Sequence, residues 1–108
     1  MTKGDILLIP FPFTNLLGQK SRPCLVLYVD SNGEDCIVTP ISSFKTKKVH
    51  PSNIWVKASE CNGLRLDSLI KANKIATLQK KIALGRLGRL ESSYITQVDK
   101  KLRRLLEL

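Results

Sequence analysis

The sequence predicts a mainly β fold, a small SH3-like barrel of about six to seven short strands closed by a C-terminal α-helix. Three observations carry that expectation. Short, β-rich apolar runs recur along most of the chain, turn chemistry separates them, and a clear amphipathic helical spacing of apolar positions appears only near the C-terminus. At 108 residues the chain reads as a single domain over 1–108, large enough to bury a core without disulfide or metal staples. Hydrophobic residues make up 43% and charged residues 25%, the balance of a globular chain rather than a disordered one. No apolar run approaches bilayer length, and Met1-Thr-Lys-Gly-Asp5 lacks the apolar core of a leader. The expectation is a cytoplasmic protein with no membrane partner.

In chain order, Gly4 to Pro10 reads as a first strand, apolar on both faces and stopped by Pro10 and Pro12. A loop over 11–21 follows. The β-rich run Cys24 to Val29, the turn Asp30-Ser-Asn-Gly33 and the run Asp35 to Thr39 form a hairpin. Pro40 to Ser43 is expected to end that strand. Asn53-Ile-Trp-Val-Lys57 reads as a further strand with Trp55 as an anchor of the barrel rather than a base-stacking platform, and Asn62-Gly63 reads as a turn. Asp67 to Lys71 and Lys74 to Leu78 are two short strands. Ile82 to Leu90 is ambiguous, because leucines recur at three while Gly85 and Gly88 weaken a helix; it is assigned as a strand. Finally Ile95, Val98, Leu102 and Leu105 recur at three and four, which makes an amphipathic helix with Ser92 or Ser93 available as its cap. Lys100, Lys101, Arg103 and Arg104 fall in the later half of this helix, where cations favour the negative end of its dipole.

Lysine and arginine number 18 against 9 acids, a net charge of +9, which points to polyanionic partners: nucleic acid first, an acidic protein second. The excess is uneven, since Ser68 to Leu90 holds six basic residues and no acid. Such a run is either solvated surface or a nucleic-acid face. Cys24, Cys36 and Cys61 form no C-x-x-C pair and His50 is the single histidine, which argues against zinc; no carboxylates cluster to hold magnesium, and no cofactor is expected. Cys24 and Cys36, in apolar runs, read as small core residues.

One side chain stands out. Pro23 fixes its own φ and pushes Arg22 toward extended backbone, so a guanidinium stands where the loop enters the second strand. Its planar fork matches phosphate oxygens, and two readings remain: an oxyanion clamp or a solvated loop arginine. Glycine-rich phosphate loops and Ser-His-Asp or Cys-His constellations are absent. A metal-free reaction on RNA remains open, because the 2′-hydroxyl is an internal nucleophile that need only be oriented while the phosphorane charge is neutralised.

Gly4-Asp-Ile, Phe11-Pro-Phe-Thr14, Gly18-x-x-x-Arg22-Pro-x-Leu-Val-Leu27, Ile41-Ser-Ser43, Asp67-Ser68, Lys74-Ile-Ala-Thr-Leu78 and Leu87-Gly-Arg-Leu90 together resemble the MazF/PemK-type toxins, in the right order over nearly the whole chain. The resemblance implies a homodimer of SH3-like barrels that cuts single-stranded mRNA at particular sequences without metal, leaves a 2′,3′-cyclic phosphate, pairs with an acidic antitoxin and meets DNA only through it. On this resemblance Arg22 falls on the catalytic arginine of the family and Ser42 on its catalytic threonine or serine. Read from the residues alone, Ser42 is a structural serine where the strand ends, and only the resemblance turns the reading to catalysis. A guanidinium, among the most basic of side chains, suits charge stabilisation better than general-base work. Gly18, Lys20, Ser43, Lys45, Lys47, Lys71 and Lys74 are the candidate RNA contacts, Gly18 through a tight loop and the lysines through phosphates. Lys74 departs from the glutamine frequent at that place in the family. Asp67 and Ser68 read as structural hydrogen-bonding residues. The alternative is a barrel that binds without cleaving, such as a gyrase-poisoning toxin of the same fold or a degenerate family member.

Overall fold

Seven strands and one helix make up the computed structural model, which describes residues 1–10, 21–43 and 49–108. The strands are β1 (Asp5–Pro10), β2 (Ser21–Val29), β3 (Asp35–Ser43), β4 (Asn53–Val56), β5 (Ser68–Lys71), β6 (Ala76–Gln79) and β7 (Gly85–Arg89), and α1 spans Ser92–Leu105. All pairings are antiparallel, in the order β4-β5-β3-β2-β1-β7, with β6 also on β3. The mainly β barrel with a terminal helix expected from the sequence is the fold observed. No helix among the described residues is long and apolar enough to cross a membrane.

The central strand is β3, because its outer edge serves two partners in turn. Asp35 to Val38 pair with β6, and Ile41 to Ser43 pair with β5. Pro40, which has no N–H to give, falls in the gap between the two ladders, so it is tolerated inside a strand that the sequence reading ends there. Thr39, fully buried, donates its hydroxyl to Lys71 O at 2.5 Å and ties β5 to β3 at the changeover.

The pleat divides the apolar residues between two faces. Ile6, Leu25, Ile41, Ile54, Val56 and Ile70 form one buried cluster with Leu90 and with Val98 of α1. Leu7, Ile9, Cys24, Val26, Cys36, Val38 and Ala76 form a second. That two-sided burial explains why β1 and β2 read as continuous apolar runs instead of alternating ones.

Closure depends on the segment between β4 and β5. Arg89 N–H donates to Cys61 O at 2.9 Å, which joins this segment to β7. Gly63 has φ +70°, and an added Cβ would lie 2.0 Å from Leu87 O; a Cβ on Gly88 would lie 2.5 Å from Cys61 O. Only glycine permits the two backbones to approach so closely. Asn62, fully buried, accepts from Ser59 N and Leu64 N and donates to Lys57 O and Glu91 Oε1. Glu91 also accepts from Ser59 Oγ, at 2.9 Å. It is Glu91 that occupies the cap position of α1, without a side-chain cap bond, and not Ser92 or Ser93. Its carboxylate is engaged by the closing segment instead.

The last strand is shorter than its leucine spacing suggests. Lys80–Ile82 form a 3-10 turn, and β7 begins only at Gly85, leaving Leu84 and Leu87 exposed and Leu90 buried. Asp67 and Ser68 are structural, as expected: Asp67 Oδ1 accepts from Ala58 N, and Ser68 Oγ donates to Leu66 O. Trp55 is a correction. Ile54 and Val56 take the inner face of β4, so strand alternation turns the indole between them outward, where it is 47% exposed.

Asp5 fixes the basic β7 to the N-terminal strand. Its carboxylate, buried, accepts from Thr2 N at 2.9 Å, from Arg86 Nε at 3.2 Å and from Arg89 Nη1 at 3.4 Å. Burial pushes its pKa up, but the Thr2 N–H, the Arg86 hydrogen bond and charge and the N-terminal ammonium outweigh that and hold it below the usual carboxylate value. A depressed folded pKa means that the stability Asp5 contributes is complete above its unfolded value of about 3.9 and is lost as pH falls through the folded value. Asp5→Asn is therefore expected to lower the urea midpoint at neutral pH and to flatten its decline between pH 5 and 3; an unchanged acid profile would remove Asp5 from the linkage.

Candidate active site

Arg22 and Ser42 meet because of register. β2 and β3 pair Cys24 with Pro40, Leu25 with Thr39 and Val26 with Val38, and the same register carried outward brings Arg22 opposite Ser42. Arg22 Nη1 donates to Ser42 Oγ at 3.3 Å. The two residues lie 20 apart in sequence, yet paired residues in an antiparallel ladder present their side chains on one face. The row continues on both sides: Ile9 stands beside Arg22 on β1, Leu69 beside Ser42 on β5, and Trp55 beside Leu69 on β4.

Ile9 and Leu69 are almost completely buried, so the guanidinium and the hydroxyl are flanked by aliphatic side chains in the sheet. Arg22 is half-buried, and its Nε is enclosed with no hydrogen-bond partner among the described residues. A partly desolvated cation with donors to spare interacts more strongly with an anion than a solvated one does. Because guanidinium only donates, Ser42 Oγ is the acceptor in their contact, which leaves the Ser42 proton free to be given to a third group. The pair thus offers a planar cationic fork and a neutral donor converging on one place, the equipment for binding a phosphate and stabilising added charge on it.

The other sequence-predicted positions separate. Lys71, half-buried in β5, is two residues from Leu69 and shares the outer face with it. Ser43 follows Ser42 in β3 and so lies on the opposite face, paired with Ser68. Lys74 is exposed in the turn after β5, its N–H donating to Lys71 O at 2.9 Å. Gly18, Lys20, Lys45 and Lys47 lie outside the described residues. Among the described residues, no three histidine, cysteine or acidic side chains come together as a metal site would require.

Cys24 lies beside the pair, with its Sγ donating to Arg22 O at 3.7 Å. Burial pushes its pKa up to about 12 despite the nearby Arg22 charge. A thiol held protonated in this way is a core side chain and not a nucleophile. Burial also raises Cys36. Trp55 is the site-face residue that sequence reasoning assigned otherwise; the signal was its place between two β-branched residues, which puts it in the polar set with Asn53 and Lys57.

A barrel of this form, with a guanidinium and a hydroxyl in contact on one sheet face and a net charge of +9, has the chemistry of a small β protein suited to polyanions. The comparisons with known proteins make the class definite. Residues 2–106 match the family model for the PemK-like, MazF-like toxin of type II toxin-antitoxin systems, and the chain belongs to that family. It is 31% identical over 93 residues to the endoribonuclease MazF6 of Mycobacterium tuberculosis, covering 82% of this chain and 81% of that one. The same figures hold for endoribonuclease MazF2 of Mycobacterium bovis. Among solved structures, MazF of Deinococcus radiodurans superposes with a TM-score of 0.79 at 18% identity, over 100% of this chain and 97% of that one. A mycobacterial endoribonuclease in complex with its cognate antitoxin superposes at 0.78 with 16% identity, over 100% and 96%. These likenesses establish the same fold.

The thiol environments give a direct check on the geometry beside Arg22. With Cys24 and Cys36 buried and Cys61 exposed, a thiol reagent at mildly alkaline pH should label one cysteine rapidly, and peptide mapping should locate it at Cys61. Rapid labelling of Cys24 in the native protein would contradict the closed environment around Arg22.

Proposed function

We propose that this chain is the endoribonuclease toxin of a type II toxin–antitoxin pair, cutting single-stranded mRNA at particular sequences by metal-independent transesterification. The observation that carries the chemistry is the Arg22–Ser42 contact across β2 and β3. Attack of a ribose 2′-oxygen on the adjacent phosphorus forms one P–O bond and breaks the bond to the 5′-oxygen, and the proton that the 2′-hydroxyl releases to water balances the one that the departing 5′-oxygen takes up. The products are a 2′,3′-cyclic phosphate and a 5′-hydroxyl. Negative charge builds on the non-bridging oxygens as the bonds exchange, and the Arg22 fork neutralises it in a partly desolvated setting. Ser42, with Oγ accepting from Arg22, directs its proton to a phosphate oxygen or to the departing 5′-oxygen. Arg22 acts through charge and hydrogen bonding, as a planar fork of donors.

Around this centre, Lys71 and Lys74, with Gly18, Lys20, Lys45 and Lys47, are the proposed RNA contacts, the lysines acting on phosphates without reading sequence, while Ser43, on the opposite face of β3, drops out of the set. The likeness to an endoribonuclease solved with its cognate antitoxin supports an antitoxin partner, and the net charge of +9 favours an acidic one that competes with RNA for the basic face and is the only link to DNA. We place the working form as a cytoplasmic homodimer, since isologous pairing is the commonest assembly of a small domain. Light scattering should give twice the chain mass, and a cognate acidic antitoxin added to labelled RNA should displace it; a monomer, or undisturbed RNA binding, would remove the corresponding part of the reading.

For the chemistry, Arg22→Ala is expected to lower RNA cleavage at least about a hundredfold, the scale of losing one preorganised oxyanion donor, with unchanged circular dichroism. Arg22→Lys keeps the charge but not the fork and should recover only part of the rate. Ser42→Ala should slow cleavage by less if water substitutes for its proton, and chelator should leave the wild-type rate unchanged. The assay is cleavage of end-labelled RNA with the product ends tested for cyclic phosphate. Full activity in folded Arg22→Ala would refute the site, and abolition by chelator would refute the metal-independent mechanism.

A further inference from the structure

The outer face of the sheet does not end at Ser42. Two strand spacings away, roughly 10 Å, the same cross-strand row ends in Trp55 on β4. Between them lies Leu69, buried at 2% exposure, whereas the indole itself is 47% exposed. An outward tryptophan in a strand whose other apolar residues face inward contributes little to the core. Its large π-face is left in water, at a cost that a partner with a flat ring can relieve.

Three features of the molecule say what that partner is. The indole belongs to the same cross-strand row as Arg22 and Ser42, within reach of a neighbouring nucleotide of an extended strand held at its phosphate there. Lys71 is diagonal to Trp55 across the β4–β5 pair, roughly 7–8 Å away, on the same face and positioned for a backbone phosphate. The chain carries +9 net charge. A cation beside an exposed aromatic ring, in line with a phosphate fork, is the arrangement by which proteins hold single-stranded nucleic acid: charge for the backbone and a ring face for the base.

We infer that Trp55 is a base-stacking platform of the RNA-binding face, holding an unpaired base of the substrate strand beyond the scissile phosphate, with Lys71 on the neighbouring backbone. This rests on the ribonuclease reading for the identity of the strand. Stacking tolerates any base, so Trp55 contributes affinity and register more than sequence choice. It places the strand across β3, β5 and β4, perpendicular to the strand axes. In that path the 2′-oxygen at Arg22 and Ser42 is positioned by contacts on one side of it.

Trp55 is the only tryptophan in the chain, so its emission reports on this position alone. The probe is a short mixed-sequence oligoribonucleotide, fully 2′-O-methylated so that it binds without being cut, with binding followed independently by anisotropy of an end label. Expected are quenching of the Trp55 emission in step with the anisotropy, and protection of the indole from acrylamide. Trp55→Ala should weaken binding between about fivefold and a hundredfold, the scale of one lost base stack, and Trp55→Phe should recover part of it. If the oligonucleotide binds with full anisotropy change while Trp55 emission and acrylamide access stay constant, and Trp55→Ala binds as the wild type does, the inference is overturned and the ribonuclease reading stands. If no RNA binds at all, both fall. If Trp55→Ala changes the mass in light scattering but not RNA affinity, the indole belongs to a protein interface and the inference is overturned.

Discussion

Everything on the outer face depends on one strand keeping two registers. Paired with β2, β3 brings Ser42 opposite Arg22; paired with β5, it brings Ser42 opposite Leu69. A slip of one residue in either ladder would turn Ser42 to the other face and bury a polar group in the cluster around Ile41 and Ile70. The registers are fixed by burial, since β1, β2 and β3 carry apolar side chains on both faces and no shifted pairing buries both sets. The geometry of the proposed site is thus a by-product of core packing: Arg22 and Ser42 sit at the ends of strands whose middles are buried on both faces.

The same arrangement explains how so basic a chain folds around its charges. Of the cations on the described residues, Arg86 and Arg89 are drawn onto Asp5, and Lys3 pairs with Asp99. Arg22 is treated differently. It is flanked by aliphatic neighbours and touches a hydroxyl, and it has no carboxylate partner among the described residues. A buried ion pair there would be stable and inert, whereas a half-buried guanidinium with unmet donors is held ready for an anion. Closure of the barrel follows a parallel logic: Glu91 leaves the start of α1 uncapped by a side chain in order to satisfy Ser59 and the buried Asn62, so helix and closing segment are bound through one carboxylate.

What the sequence by itself determined was whatever depends on local pattern. The hairpin from Cys24 to Thr39 was legible because β-rich runs flank Asp30-Ser-Asn-Gly33, and the terminal helix because Ile95, Val98 and Leu102 share a face. The Arg22-Pro23 strand entry identified the cation, and the ordered motifs identified the family. The tertiary structure decided what depends on partners distant in sequence. That β3 runs through Pro40 to Ser43 follows from a gap between two ladders, which no propensity encodes. That Glu91 stands at the helix cap follows from the demands of Asn62, 29 residues earlier. That Arg22 meets Ser42, that Ser43 faces away, and that Trp55 closes the same row all follow from registers set by packing on both faces of the sheet. A single sequence records which residues alternate; only the folded sheet records which residues end up side by side.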